Sequence, residues 1–582
     1  DFVETSVKRV DLEHLSSEAG AQLLRNLGAD GTDDELKQAV KEFDGHALAL
    51  TLLSRYLAVV YGGDIRRRDG IPGLTAERRQ GGHARRVMES YERWFEGKPE
   101  LNILRIMGLF DRPVEAGAVE ALRAKRGIKG LTRKLRKLSH TDWQFALSSL
   151  REARLLAPED TERPDSLDCH PLIREHFGDK LRESNPGAWK EAHSKLYEYY
   201  QSQAEEYPDT IEGMAPLFAA VAHGCQAGRH QKAMVKVYWQ RIRRGQEAFS
   251  LRKLGAFGAD LSALSGFFYP SWSQPAPGLT EIFKGFVLAE AGFDLQALGR
   301  LAEAAQLMQA GLKAEIAQED WRNAAIAARN LSQLYLTIGD ISRALDYARQ
   351  SIGLADRSGN AFERIGERIA LADALHQSGQ LQESEASFRE AEEMQKERQP
   401  EHPLLYSVQG SRYCDLLLGQ GKYQEVQNRV GKTLEWGAEQ YSLLDAADAH
   451  LSLGRAHLLQ AQEEGTGDFA LAADELDQAV DGLRQAGIQE YLARGLLARA
   501  ELHRVCGDHD RAKRDLDEAM TIATRGGMRL YEADCHLGYA RLYLAMGEKE
   551  KARERVDVAR EMVESMGYGR RRKDIEELEG QF

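Results

Sequence analysis

The chain has 582 residues, 42% hydrophobic and 29% charged, with a net charge of −13, which allows several domains and argues against a general polyanion binder. Its five cysteines, Cys169, Cys225, Cys414, Cys506 and Cys535, lie far apart with no CxxC, which excludes a disulfide frame or a zinc site and points to a reduced, cytoplasmic chain. The longest apolar candidate, Ala47 to Tyr61, is interrupted by Arg55, so neither a membrane span nor a signal peptide is expected.

The start at Asp1 rather than Met reads as a fragment or a processed product. Residues 1–61 form a helical domain. Ser16 or Ser17 caps a helix over Leu12–Leu27 that Gly28 stops, a second helix covers Asp34–Phe43, and Gly45-His46 opens a long apolar helix to about Tyr61. The connector, 62–99, carries Arg66, Arg67, Arg68, Arg78, Arg79, Arg85 and Arg86. It reads as a solvated link into an amphipathic helix or, more sharply, as an arginine-lined surface that meets another domain or a neighbouring protomer, because Arg forks suit phosphate and carboxylate.

Residues 100–184 have the order of a winged helix: helices over Leu101–Phe110, Glu115–Arg123 and Asp142–Ala153, then Leu155–Ala157 and Ser166–Cys169 flanking the polar turn "PEDTERPD" as a β-hairpin. As a DNA reader the third helix is poor, offering only Gln144 and Arg151. The basic run lies earlier: Arg123, Lys125, Arg126, Lys129, Arg133, Lys134, Arg136 and Lys137, with no acid among them. Leu131, Leu135 and Leu138 fall at helical spacing, so these charges are expected on the wet face of a short helix, with phosphate contact the alternative.

Residues 185–283 read as a helical linker in which Gly228, Ala233 and Val237 echo a pattern seen later, and 249–279 as a divergent repeat plus an ordered loop interrupted by Pro270, Pro275 and Pro277. From 284 to 582 the pattern recurs seven times. A Gly is followed five residues later by a small or apolar residue, whose positions 304, 344, 384, 426, 472, 512 and 552 lie 40, 40, 42, 46, 40 and 40 apart. Each Gly ends one helix and a second begins at once, so each pair exposes an apolar face that only a stacked neighbour can bury. The order small, large, small on the second helix resembles the tetratricopeptide repeat, with a longer period and without its Trp and Pro. The fold class is therefore all-α: a helical domain and a winged helix with a small β-hairpin, followed by a right-handed tetratricopeptide-like α-solenoid that ends in a polar capping helix.

Two further stretches resemble STAND-class ATPases, the NB-ARC and NACHT-like signalling switches. "LSSEAGAQLLRNLG", an acidic helix and "FDGHALALTLLSRYLA" resemble their small helical domain, with Ala47 where the family carries the Pro of Gly-x-Pro. "LDCHPLIREHFGDKL" resembles the end of their winged helix, where His170 matches the His of a Met-His-Asp motif and Cys169 and Pro171 replace Met and Asp. The resemblance implies that Gly45, His46 and His170 face ADP. It also implies that ADP or ATP is held with an upstream ATPase domain, since no GxxxxGK(S/T) loop occurs in this chain, and that the protein forms a homo-oligomer on activation. Immunity-type members make antiphage defence one expected setting.

No HExxH, GxSxG or paired Cys and His appears, so the chain is expected to bind rather than catalyse, with no cofactor or metal of its own. Residues 281–582 hold 37 Lys plus Arg against 52 Asp plus Glu, a net of −15, which argues against wrapping nucleic acid. In such a solenoid the first helices line the concave side, and repeat register places Phe293, Arg329, Gln333, Asp373, His376, Asp415, Arg504 and Arg541 there as exposed candidates for a protein or peptide ligand. Two other readings are a transcription regulator with a DNA-binding winged helix and a repeat sensor, and a passive protein-binding scaffold.

Overall fold

Side-chain capping at the first helices shows how local chemistry sets the boundaries in this all-helical chain. Ser16 accepts from Ala19 N, and Thr32 and Glu35 close a reciprocal capping box, each cap contributing about 1 kcal/mol. The structure, a computed structural model, describes residues 14–71, 82–124, 126–270, 272, 274–437 and 441–582. Leu12, Arg78, Arg79 and Lys125 lie outside them. The chain divides into two units, Asp1–Ala204 with Ala219–Arg229, and Glu205–Phe218 with His230–Phe582.

The first unit begins with α1 (Ser17–Asn26), α2 (Asp33–Glu42), α3 (Ala47–Tyr61) and α4 (Gly82–Trp94), and continues through α5 (Pro99–Met107), α6 (Ala116–Arg123), α7 (His140–Glu152), α8 (Pro171–Ser184) and α9 (Pro186–Gln203). Tyr91 on α4 is fully buried and its hydroxyl donates to the Leu52 carbonyl of α3 at 3.2 Å. Among the described residues no β-strand forms. The two arms of the expected hairpin meet through one bond, Ala157 N to Asp168 O at 2.8 Å, while Leu167 exchanges both of its backbone bonds with Val114. With Leu167 committed to Val114, and Pro158 and Pro164 lacking N–H groups, no ladder can develop between the arms.

The basic run also departs from its expected form. No α-helix covers 126–138; the chain makes turns and a short 3-10 helix, Leu135–Lys137. Thr132 explains this, because its buried hydroxyl donates to Leu122 O and accepts from Ile128 N, bonds that compete with a helical ladder.

α10 (Ile211–Gln226) contributes to both units. In the second unit α11 (His230–Ala233) runs into a π-helical stretch, Met234–Ile242, followed by α12 (Phe249–Arg252) and α13 (Phe257–Ser265). Seven helical pairs then follow: α14 (Glu281–Ala297) with α15 (Leu301–Ala317), α16 (Trp321–Ile338) with α17 (Ile341–Ser358), α18 (Ala361–Gln377) with α19 (Leu381–Arg398), α20 (Ser407–Gly419) with α21 (Tyr423–Gly437), α22 (Leu443–Glu464) with α23 (Ala470–Ala486), α24 (Gln489–Val505) with α25 (His509–Gly526), and α26 (Arg529–Ala545) with α27 (Lys549–Met566). α28 (Arg572–Glu579) caps the array.

The repeat pattern is a packing pattern. Ala304, Ala344, Ser384, Val426, Ala472, Ala512 and Ala552 are all buried to 1% exposure or less, since a larger side chain there would hold the two backbones of a pair apart. The seven repeat glycines have φ between +67° and +89°, the left-handed conformation that lets a helix stop without a Cβ clash. Gly339 has a second duty: a Cβ on it would lie 2.3 Å from Met566 Sδ. Gly299 and Gly379 likewise approach Met528 and Gly569, and α16 packs on α26, so the solenoid winds round far enough for its first repeats to meet its last. No helix among the described residues is long and apolar enough to cross a membrane.

Candidate functional site

Because the solenoid closes on itself, its inner face surrounds a cavity of about 780 Å³ lined by α16, α18, α20, α22, α24, α26 and the segment Tyr568–Glu577. The first helices of the second to seventh pairs supply most of the wall. Nine Lys or Arg and eight Asp or Glu line it, so the interior is close to neutral although the surrounding half of the chain carries −15.

Asp415 on α20 is the hub. It accepts from Arg455 Nη1 of α22 at 2.5 Å and from Arg570 Nη1 of the C-terminal segment at 2.6 Å. Burial would raise its carboxyl, but the guanidinium groups of Arg570, Arg455 and Arg494 hold it well below the ordinary carboxylate range. Arg571 makes a two-pronged contact with Asp534 of α26, at 2.7 and 3.0 Å, and Tyr568 donates to the same carboxylate at 3.2 Å. Arg570 and Arg571 thus bring positive charge from the C-terminal segment to acids on the inner helices. Glu490 of α24, raised by burial, accepts from Thr337 at 2.8 Å and from Gln296 at 3.4 Å.

Two arginines are held more loosely. Arg412 approaches Asp373 at 3.5 Å and Arg494 approaches Asp448 at 3.7 Å, beyond the usual length of a charge-assisted hydrogen bond. His376 of α18 lies on the same wall, 2% exposed, with a buried Nδ1 that has no partner among the described residues. Burial and then the Arg570 guanidinium push its pKa down to about 3, so the ring is neutral and offers one donor and one acceptor.

Of the eight candidates placed by repeat register, Gln333, Asp373, His376, Asp415, Arg504 and Arg541 line the cavity. None of the six is exposed as expected: His376 and Asp415 are buried under the C-terminal segment, and Gln333, Asp373, Arg504 and Arg541 are half-buried. Arg504 pairs with Glu501 on its own helix, and Arg541 with Asp574. Arg329 is turned to Glu367 and Glu363 of α18, at 3.0 and 3.5 Å. Phe293 is 36% exposed, with its ring 6.0 Å from that of Phe257. Register counted from the glycines missed Arg455, Arg494 and Asp534, which stand twelve or thirteen residues before their repeat Gly where Gln333, Asp373 and Asp415 stand six before theirs. A step of seven residues keeps a side chain near the same helix face, two turns away, and following that face would have found Arg494 and Asp534; Arg455, one residue out of that step, has no such signal.

In the first unit, Gly45 has φ +62°, and a Cβ there would lie 2.4 Å from Leu15 O, so the position admits only glycine. His46 and His170 are both N-caps: Nδ1 of His46 accepts from Ala49 N at 3.3 Å on α3, and Nδ1 of His170 from Leu172 N at 3.2 Å on α8. The two rings are close enough to influence each other. Burial, then His14 and then His170, hold His46 below the ordinary imidazole value. Among the described residues, no group of three His, Cys, Asp or Glu could hold a metal.

Residues 368–398 match the tetratricopeptide repeat model. No curated protein matches the chain. Among solved structures, a signal transduction ATPase with numerous domains (STAND) protein with a tetratricopeptide repeat sensor from Pyrococcus horikoshii is similar at 14% identity over 95% of this chain and 72% of its own, with a TM-score of 0.35. The Rap conjugation gene regulator of plasmid pLS20, solved with the Phr* peptide, is similar at 14% identity over 67% of this chain and 93% of its own, with a TM-score of 0.40. A Rap protein complexed with competence and sporulation factor is similar at 13% identity over 69% and 97%, with a TM-score of 0.29.

Proposed function

We propose that this chain is the ligand-sensing and regulatory half of a STAND-type nucleotide switch, and that its solenoid takes a peptide or an extended protein segment into the central cavity. The observation that carries the reading is the cavity itself. Its size is that of ligand pockets, and its wall alternates Arg, Asp, Gln, Tyr and Leu from six successive inner helices, a mixture suited to backbone and side-chain contacts of a peptide. The chain acts by binding and performs no reaction of its own.

Gly45, His46 and His170 are the nucleotide-facing residues in this reading. Each His uses Nδ1 for its helix cap and keeps Nε2 for a phosphate oxygen, so the residues fit an ADP held against a P-loop domain of the same protein. The helical segment of residues 100–184 restrains that domain, ligand binding releases it, and oligomerisation follows. Antiphage defence is one setting for such a switch.

Affinity selection of a random octapeptide pool, read by mass spectrometry, tests the sensing half. The wild-type chain should retain a defined subset, and a Gln333→Ala/Arg504→Ala variant should lose it by about tenfold or more. No retained peptide, or equal retention by the variant, would overturn the reading. In the protein that carries the ATPase domain, calorimetry should show ADP retention weakened by His170→Ala with peptide retention unchanged.

A further inference from the structure

A second charged surface lies in the first unit, away from anything used so far. Arg126, Lys129, Arg133, Lys134, Arg136 and Lys137 are all exposed, fall within twelve residues, and have no acid among them. None has an ion-pair partner among the described residues. The backbone beneath them is tied down. Lys195 Nζ donates to the carbonyls of Leu122, Ala124 and Arg126, Arg123 donates to Leu135 O, and Asn185 donates to Lys129 O. Ile128, Leu131 and Leu135 are buried to 1% or less. This is a rigid irregular platform that points its cations outward, where a disordered basic tail would have to be ordered on binding.

From this platform we infer that this face binds the sugar-phosphate backbone of double-stranded nucleic acid without reading sequence. Unpaired exposed cations gain most by neutralising phosphates and releasing condensed counterions. The next helix in the chain, α7, carries exposed Gln144 and the 69% exposed ring of Phe145, groups of the kind that contact sugar and phosphate. An anionic membrane fits less well, because lasting attachment takes a larger inserted apolar surface beside the cations, and here Ile128, Leu131 and Leu135 are buried, leaving Phe145 alone. The inference is independent of the cavity and of any nucleotide switch.

Fluorescence anisotropy of the full chain with a labelled duplex of about 25 base pairs and arbitrary sequence, titrated between roughly 50 and 200 mM KCl, tests it. Six phosphate contacts set a limiting log–log salt slope of about −5, and a slope between −3 and −5 is expected. Arg133→Gln/Lys134→Gln/Arg136→Gln should weaken binding about tenfold or more at the lowest salt and make the slope shallower by about three. A control that removes three charges from the solenoid surface, Arg511→Gln/Lys513→Gln/Arg514→Gln, should leave both unchanged. All six positions are exposed, and circular dichroism checks that both variants stay folded. Absence of duplex binding, equal binding by the platform variant, or an equal loss in the control would each overturn the proposal. Vesicles containing phosphatidylserine form a separate arm, and binding to them without duplex binding would assign the surface to membranes instead.

Discussion

The two arginine-rich regions of this molecule are built on opposite principles. In the solenoid cavity Arg412, Arg455, Arg494, Arg504, Arg541, Arg570 and Arg571 each lie within 4 Å of an Asp or Glu, whereas the platform of residues 126–137 in the first unit has six exposed cations and, among the described residues, no such pair. Paired guanidinium groups in a confined space hold helices in register, and their charge is already answered. Unpaired cations on a rigid surface hold nothing together, so their charge remains for a partner. Composition alone hides this contrast: the chain has a net charge of −13 and residues 281–582 a net of −15, yet nine cations line the cavity of that acidic half.

The largest effect that separates the two kinds of charge belongs to the cavity. Asp415→Asn leaves the guanidinium groups of Arg455 and Arg570 without their shared carboxylate in a confined site, and loss of one partner from a buried pair costs about 3–5 kcal/mol. Chemical denaturation should show a destabilisation of that size. Asp415→Asn/Arg570→Gln should recover part of it by removing one of the stranded cations. If Asp415→Asn is neutral, the inner ion pairs are not structural and the contrast with the platform collapses.

Much of this arrangement is legible in the sequence, and what is not has identifiable causes. The repeat was readable because a left-handed Gly, a small residue at the helix crossing and a larger one a turn later are each a steric requirement repeated seven times. Six cavity-lining residues followed from that register. Arg570 and Arg571 did not, because the segment that carries them lies beyond the repeats and folds back onto α18, α20 and α26, a long-range contact without a local signal. Residues 126–138 were misread because Leu131, Leu135 and Leu138 share helical spacing, while the Thr132 side-chain bonds that break the helix depend on Leu122 and Ile128 being nearby. The wing was misread for a similar reason: Leu167 pairs with Val114, far away in sequence.

A smaller effect distinguishes the two regions by pH. His376 has its folded-state pKa pushed down to about 3 by burial and then by Arg570, against about 6.5 when unfolded. Between those values the unfolded chain binds the extra proton, so the stability contributed by neutral His376 is complete above pH 6.5 and is lost as pH falls toward 3. At pH 5 the loss is about 2 kcal/mol, from 1.36 kcal/mol per pKa unit. His376→Gln should flatten that part of the pH–stability curve of the solenoid. A curve of unchanged slope would mean that the ring accepts its proton within the cavity.

The smallest expected change in stability is also the most discriminating. Substituting Arg133, Lys134 or Arg136 by Gln removes no ion pair and no described hydrogen bond, and surface changes of that kind alter stability by less than about 0.5 kcal/mol. Melting curves of the three single variants should therefore superimpose on the wild type, even where their duplex binding falls. A cation whose loss changes recognition and leaves folding alone is the counterpart of Asp415, whose loss changes folding first. If instead Arg133→Gln lowers the melting temperature as Asp415→Asn does, the platform cations are structural after all, and the division of charge between the two regions is one of exposure only.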